Sequence, residues 1–279
     1  MNILLVNDDG IESLTLKLLY EELSKKHKVY VVVPTKNRSG SSHSITVFKN
    51  FEVKKISDNI FTVDAMPADC VKVAFLSLIK EKIDLTISGI NIGPNLGLDI
   101  YYSGTFSAAR ESALLGVKSI STSVNVNWNE VDELIFRQCA LFVSKLVDFY
   151  PIDLIPNDVF PNVNIPKSTF DKIKGVRIAR PYERYYFETS YLDENKKSTE
   201  EEEIIFKLDG GVREHNNIPD SDIYLCKNNY ITYTMYSYLP FKNSSRYEIL
   251  SYESFRKAFD FTKSYFSQQQ VLPQNNNSK

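Results

Sequence analysis

The chain has 279 residues, 43% of them hydrophobic and 24% charged, which is ordinary globular usage and long enough for one large domain with a sizeable core. Lys and Arg number 33 against 35 Asp and Glu, a formal net charge of −2; without a basic surplus, neither nucleic acid nor an acidic membrane surface is indicated as a partner. Cys70, Cys139 and Cys226 are far apart and lack metal-ligand spacing, so they read as buried thiols of a reducing compartment.

Ile3 to Val6 is a continuous apolar strand. The opening MNILLVNDDG has no basic region and runs straight into acidic residues, unlike a secretory leader. No apolar run approaches the ~20 residues of a membrane span. The expected location is the cytoplasm. Leu16, Leu19 and Leu23 fall at helical spacing within Glu12 to Lys26, and Val29 to Val33 is a β-branched strand stopped by Pro34. Ile45 to Phe48 and Phe51 to Ile56 read as further strands. Pro67 opens a helix continuing to about Lys82, and Ile83 to Ser88 is a strand again. Ser103 to Leu115 is a helix with Ser103 as N-cap and Gly116 just past its end. Val117 to Val124 is a strand and Asn129 to Asp148 a long amphipathic helix.

This alternation predicts an α/β fold: a Rossmann-like parallel sheet covered by helices on both faces. Residues 1–150 form the core. Residues 151–267 continue it with short strands at Val163 to Ile165, Val176 to Ala179, Ile223 to Cys226 and Tyr230 to Tyr236. A protruding β-hairpin at about 184–208 and a last helix over Tyr252 to Ser267 complete this part. The acidic run Glu200 to Glu203 reads as solvated surface, and residues 268–279 as a disordered polar tail.

Four segments concentrate the chemistry. Asp8 and Asp9 sit side by side after the first strand, followed by Gly10; adjacent carboxylates repel unless a cation relieves them. The loop Lys36 to Ser44 is rich in hydroxyls and carries His43. The loop Ser88 to Gly97 repeats glycine and asparagine, with Asn91 and Asn95 four residues apart. Ser103, Gly104 and Thr105 open a helix, whose N-terminus favours anions. Singly, these segments read as a solvated turn, a flexible loop, a glycine-rich connection and a well-capped helix. Together they follow strands of one parallel sheet and so gather at one rim, where ligands of such sheets bind. Hard oxygen donors there select Mg²⁺, Mn²⁺ or Ca²⁺ over zinc. A hard cation beside an anion site outlines a metal-assisted phosphate hydrolase. No G-x-G-x-x-G fingerprint supports dinucleotide binding instead.

The segments NDDGI, RSGSSHSIT and SGINIGPNLGLDIYYSGT, with PADCVK at Pro67 to Lys72, resemble the SurE family of metal-dependent phosphatases. The match is dense from Met1 to about Ser123 and weaker through VNVNIP and DIYLCKNNYITYTM. The resemblance implies hydrolysis of nucleoside 5′- and 3′-monophosphates to nucleoside and inorganic phosphate, with short polyphosphate as a further substrate. It implies one divalent cation per subunit, Mg²⁺ or Mn²⁺, held by Asp8, Asp9, Ser39 and Asn95. It places Asn91, Ser103, Gly104 and Thr105 on the phosphate side, Asp8 and Asp9 as the catalytic pair, and the chain in a homodimer or homotetramer. Thr35 stands where the family usually has aspartate, and Tyr102 where it often has histidine.

The expected mechanism is direct attack by water. The adjacent carboxylates lack the D-x-D spacing that separates nucleophile from acid, although an aspartyl nucleophile remains the alternative. Two rival functions are another phosphotransferase or hydrolase on the same sheet, and a non-catalytic metal- and phosphate-binding module. His43 has two readings: proton transfer at the rim, or a ring that holds its loop by hydrogen bonds.

Overall fold

The first strand, β1 (Asn2–Val6), carries Ile3, Leu4, Leu5 and Val6, all fully buried. In the computed structural model, residues 1–127, 130–192, 206–214, 218–239 and 245–270 are described. Side chains alternate across a strand, so Ile3 and Leu5 enter one core and Leu4 and Val6 the other. A continuous apolar run needs such burial on both faces.

The chain continues through α1 (Leu14–Leu23), β2 (Lys28–Pro34), β3 (Val53–Ser57), β4 (Ile60–Val63), α2 (Pro67–Val73), β5 (Leu85–Ile92), α3 (Gly104–Leu114), β6 (Lys118–Asn125) and α4 (Glu133–Phe149). Then come β7 (Val159–Pro166), β8 (Gly175–Ile178), β9 (Arg184–Leu192), β10 (Phe206–Glu214), α5 (Asp222–Lys227), β11 (Tyr230–Ser237) and α6 (Ser245–Gln270). Nine strands make one sheet in the order β3-β4-β2-β1-β5-β6-β7-β11-β8. Every pairing from β4 to β7 is parallel. β3 is antiparallel to β4, and β11 is antiparallel to β7 with β8 parallel to it. The sheet is therefore mixed at its edges and parallel at its centre, an α/β fold.

Helices α1, α4 and α6 pack in succession on one face, and α2 and α3 pack together on the other. Leu16, Leu19 and Leu23 turn one stripe of α1 into the first core, while Cys70, Val71 and Ala108 join Leu4 and Val6 in the second. β1 has β2 on one side and β5 on the other. The chain leaves β1 for α1 and leaves β5 for α3, on opposite faces, so the crevice between these strand ends is a topological switch point.

Several local expectations are corrected. Ile223 to Cys226 is the helix α5, not a strand: Ser221 caps it by accepting from the N–H of Tyr224 at 3.1 Å. Ile45 to Phe48 forms no strand, and Phe48 lies open to solvent. The helix opened by Pro67 leaves α geometry at Val73, passes through a π turn over Ala74–Leu78 and ends before Lys82. The second hairpin strand continues past Leu208 to Glu214, pairing Arg184 with Glu214 at the base. α6 begins earlier, at Ser245, and reaches Gln270; residues 271–279 lie outside the described residues, as does the acidic run Glu200 to Glu203. All three cysteines are buried and free.

Candidate active site

At the rim where β1, β2 and β5 end, one cavity of about 1150 Å³ is lined by Asp8, Asp9, Ser39, Asn91, Asn95 and Ser103 among others. The four segments singled out in the sequence meet there. Gly104 and Thr105 lie beneath that lining, against Asp8.

Asp8 is only 3% exposed. Thr105 donates its hydroxyl to Oδ1 at 2.6 Å and its backbone N–H to Oδ2 at 3.2 Å. The anion at the N-terminus of α3 is thus the protein's own carboxylate, in the place a helix dipole favours. Gly104 serves the same contact: a Cβ there would stand 2.9 Å from Asp8 Cβ, Asp8 Oδ2 and Ser41 Oγ. The steric reason for glycine is the approach of Asp8 to the helix end. Burial pushes the Asp8 carboxyl above its ordinary value, against the hydrogen bonds from Thr105 and Gly104. Asp9 is half-buried; burial, and then the charge of Asp8, push its carboxyl up to about 7.

Asn95, 5% exposed, is held from several directions. Its backbone N–H donates to Asn164 Oδ1 at 2.8 Å, and its carbonyl accepts from Asn162 and Asn164 side-chain amides at 2.8 and 3.1 Å. Its own Nδ2 donates to Ser123 Oγ at 2.7 Å. These bonds fix the orientation of Asn95, which lines the cavity. Asn91 donates Nδ2 to the carbonyl of Gly93 at 2.8 Å. The backbone N–H of Ser39 donates to Asn37 Oδ1 at 2.8 Å, and that of Arg38 to the carbonyl of Asp8 at 2.7 Å, which ties the second loop to the first.

His43 does not line the cavity. Its Nδ1 accepts from Arg110 Nε at 2.7 Å, so the ring proton sits on Nε2 and is donated to Glu111 Oε2 at 2.7 Å. Lys72 pairs with the other Glu111 oxygen at 2.5 Å. Burial raises the Glu111 carboxyl, but the bonds from His43 and Lys72 outweigh it and hold the group below its ordinary value. Both ring nitrogens are engaged, which is the loop-holding reading.

The sequence reading missed Ser123, Asn162, Asn164, Asp99 and Arg184. Asn162 and Asn164 alternate with Pro161, Val163 and Ile165 along β7; polar residues at period two inside a fully buried strand were the available signal. Arg184 pairs with Asp99 across 85 residues, a separation no local pattern carries.

Two carboxylates, a hydroxyl and an amide oxygen form a hard donor set that fits Mg²⁺ or Mn²⁺.

The family model for Survival protein SurE matches residues 3–188. The chain belongs to the SurE family. Among its relatives, the 5′-nucleotidase SurE of Clostridium botulinum (strain Loch Maree / Type A3) is 38% identical over 242 residues, 85% of this chain and 93% of that protein. The 5′-nucleotidase SurE of Clostridium beijerinckii is 37% identical over 239 residues, covering 84% and 92%. The crystal structure of the SurE protein from Aquifex aeolicus superposes with a TM-score of 0.72 at 33% identity, over 90% of this chain and 99% of that one. The SurE match extends past Ser123 through β8, and the mixed sheet is the SurE architecture. No helix among the described residues is long and apolar enough to cross a membrane.

Proposed function

We propose that the cavity hydrolyses the phosphate monoester of nucleoside 5′-monophosphates, and of the 3′ isomers and short polyphosphate, releasing inorganic phosphate. The observation that carries this reading is the meeting of Asp8, Asp9, Ser39 and Asn95 in one cavity with Asn91 and Ser103. The first four are the ligands of one divalent cation, Mg²⁺ or Mn²⁺. When bound, that cation supplies charge neutralisation at the phosphoryl oxygens and acidifies water.

The chain's own residues do the rest. Asp8 is held rigid by Thr105, so the charge it offers does not move during the reaction. That also supports water over Asp8 as the attacking group. Both Asp8 oxygens already accept hydrogen bonds, and a buried, doubly engaged carboxylate is a poor nucleophile. Asn91 and Ser103 border the space for the phosphoryl group; Gly104 and Thr105 belong to the phosphate side as the helix end that fixes Asp8. A donor set fixed in advance stabilises charge as it develops. The chain works in the cytoplasm as a homodimer or homotetramer; residues 1–150 carry the chemistry, and the hairpin and last helix carry assembly.

The test is release of phosphate from a nucleoside 5′-monophosphate with Mn²⁺ or Mg²⁺, with and without chelator, together with direct titration of Mn²⁺ into the protein. Chelator is expected to abolish turnover. Asp8→Asn and Asp9→Asn are each expected to lose most activity, at least ~100-fold, a typical loss for one charge-stabilising group, and to bind Mn²⁺ more weakly. Unchanged turnover in both variants at saturating Mn²⁺ would sink the site assignment. Nucleotide binding without turnover in either metal would favour a binding module.

A further inference from the structure

A phosphoryl group occupies little of this cavity. Pockets of about 300–1,000 Å³ hold whole cofactors and drug-sized ligands, and this one measures about 1150 Å³. Part of its wall comes from outside the rim loops. Arg184 and Val212, from the two strands of the β9–β10 hairpin, line it together with Asp99.

That hairpin is a separate two-stranded sheet, an arrangement that is marginal alone. Its base, however, is fixed. Arg184, 7% exposed, pairs with Asp99, 4% exposed, and donates Nε to Glu214 Oε2 at 3.2 Å. Glu214 is the register partner of Arg184 across the hairpin and pairs in turn with Lys227 of α5. On the other side, Asp99 accepts from the N–H of Leu96, and Asp222 of α5 accepts from the N–H of Gly97 at 2.7 Å. Gly97 has no room for a side chain, because a Cβ would stand 2.3 Å from the Tyr182 carbonyl oxygen and 2.9 Å from Arg184 Cβ. The loop that carries Asn91 and Asn95 is thus pressed onto the entry to the hairpin and locked there through a buried guanidinium. Arg suits this place, since its planar fork serves two carboxylates at once.

We propose that the hairpin is the wall that receives the alcohol part of the phosphate ester, the nucleoside, and that Arg184 is the positioning residue that fixes this wall relative to the phosphoryl end. Val212 carries the contact: it is an apolar side chain, 39% exposed, facing a cavity whose rim is polar, and it suits a sugar or base rather than a phosphate. The proposal rests on the phosphatase reading above and adds the element that selects the leaving alcohol.

The test compares KM for adenosine 5′-monophosphate with the inhibition constant of inorganic phosphate in the same protein with Mn²⁺. Phosphate reaches the phosphoryl end alone, so the ratio of the two isolates the wall. Arg184→Met is expected to raise that ratio about tenfold, and Val212→Trp to shift it at least threefold, within the range that pocket contacts discriminate. Loss of general stability would move both constants together and leave the ratio where it was. Val212 is partly exposed and outside the buried network, so Val212→Trp decides the matter if Arg184→Met does not fold. A ratio within about twofold of the original in Val212→Trp, or a parallel rise of both constants in Arg184→Met, overturns the proposal. Failure of the unaltered protein to hydrolyse any nucleoside monophosphate overturns the phosphatase reading and the wall with it; normal hydrolysis with an unmoved ratio overturns the wall alone.

Discussion

Asp99 shows what burial does to a single carboxylate here. Its Oδ2 accepts from Leu96 N–H and pairs with Arg184, while its buried Oδ1 has no hydrogen-bond partner among the described residues. Burial pushes its carboxyl up to about 7, and the Arg184 charge only partly opposes that. Desolvation outweighing a good Coulomb partner is a familiar outcome for buried pairs. The folded protein therefore favours the protonated form more than the unfolded chain does. That contribution to stability is complete below the ordinary value of 3.8 and is lost as the pH rises through about 7. Asp99→Asn cannot ionise and escapes the loss. Its Tm, taken relative to the unaltered protein, is expected to climb between about pH 4 and pH 7 and to level off above that, by thermal melts across the range. A difference that stays flat there would show that Asp99 does not titrate in the folded state over this range. Asp8 and Asp9 are the opposite kind of residue: alone they read as a turn, and what singled them out in the sequence was their company with three other segments after strands of one sheet; in the structure both line the cavity. Asp99 was not legible, since its significance comes from Arg184, far away in the chain.

Among the elements, α3 is the one on which the site depends most. Its first turn holds Asp8 through Thr105, and further along it presents Arg110 and Glu111 to His43. The loop after β2 is thereby fastened to α3, and through Lys72 to α2. With its proton on Nε2 and both nitrogens engaged, His43 is a poor candidate for moving protons at the rim. His43→Gln is expected to lower stability by about 1–3 kcal/mol, the cost of leaving buried partners unsatisfied. The pH dependence of kcat/KM is expected to keep its shape. A roughly 100-fold loss of activity with an altered pH profile would instead assign His43 a proton-transfer role. In the first half, β1, α1, β2, β5, α3 and β6 were readable from the period of their apolar runs, whereas Ile45 to Phe48 was misread as a strand and β4 was missed. Ser103 does cap α3, accepting from Phe106 N–H at 2.9 Å. α5 was misread because four apolar-rich residues suit a strand as well as a short helix, and the deciding signal was the single hydroxyl of Ser221. At Ala74–Leu78 the helical periodicity runs on while the backbone widens into a π turn, a change that spacing alone does not register.

At the scale of the whole molecule, the parallel centre of the sheet brings the rim together, and the second half of the chain completes it. Asn162 and Asn164 of β7 hold Asn95 in place, so the site reaches well beyond the stretch where the motifs are dense. Among the described residues the hairpin strands join no other sheet, and α6 carries large apolar side chains at the surface. On α6, Ile249 is 74% exposed, and Leu250, Phe261 and Tyr265 are 42–48% exposed. Large apolar side chains gathered on one surface element mark a site of association more often than bare surface. A hairpin needs further packing to be stable, and Arg184 anchors its base. We expect these elements to meet a second copy of the chain, so that the protein sediments as a dimer or larger at micromolar concentration. Sedimentation velocity across a dilution series is the check, repeated on a variant with Ile249→Glu and Leu250→Glu. Neither position lines the cavity and both are exposed, so the charges carry little penalty for the single subunit. A shift of the variant toward monomer with its melting transition retained would place the interface on α6. A monomer in the unaltered protein at these concentrations would refute the assembly outright.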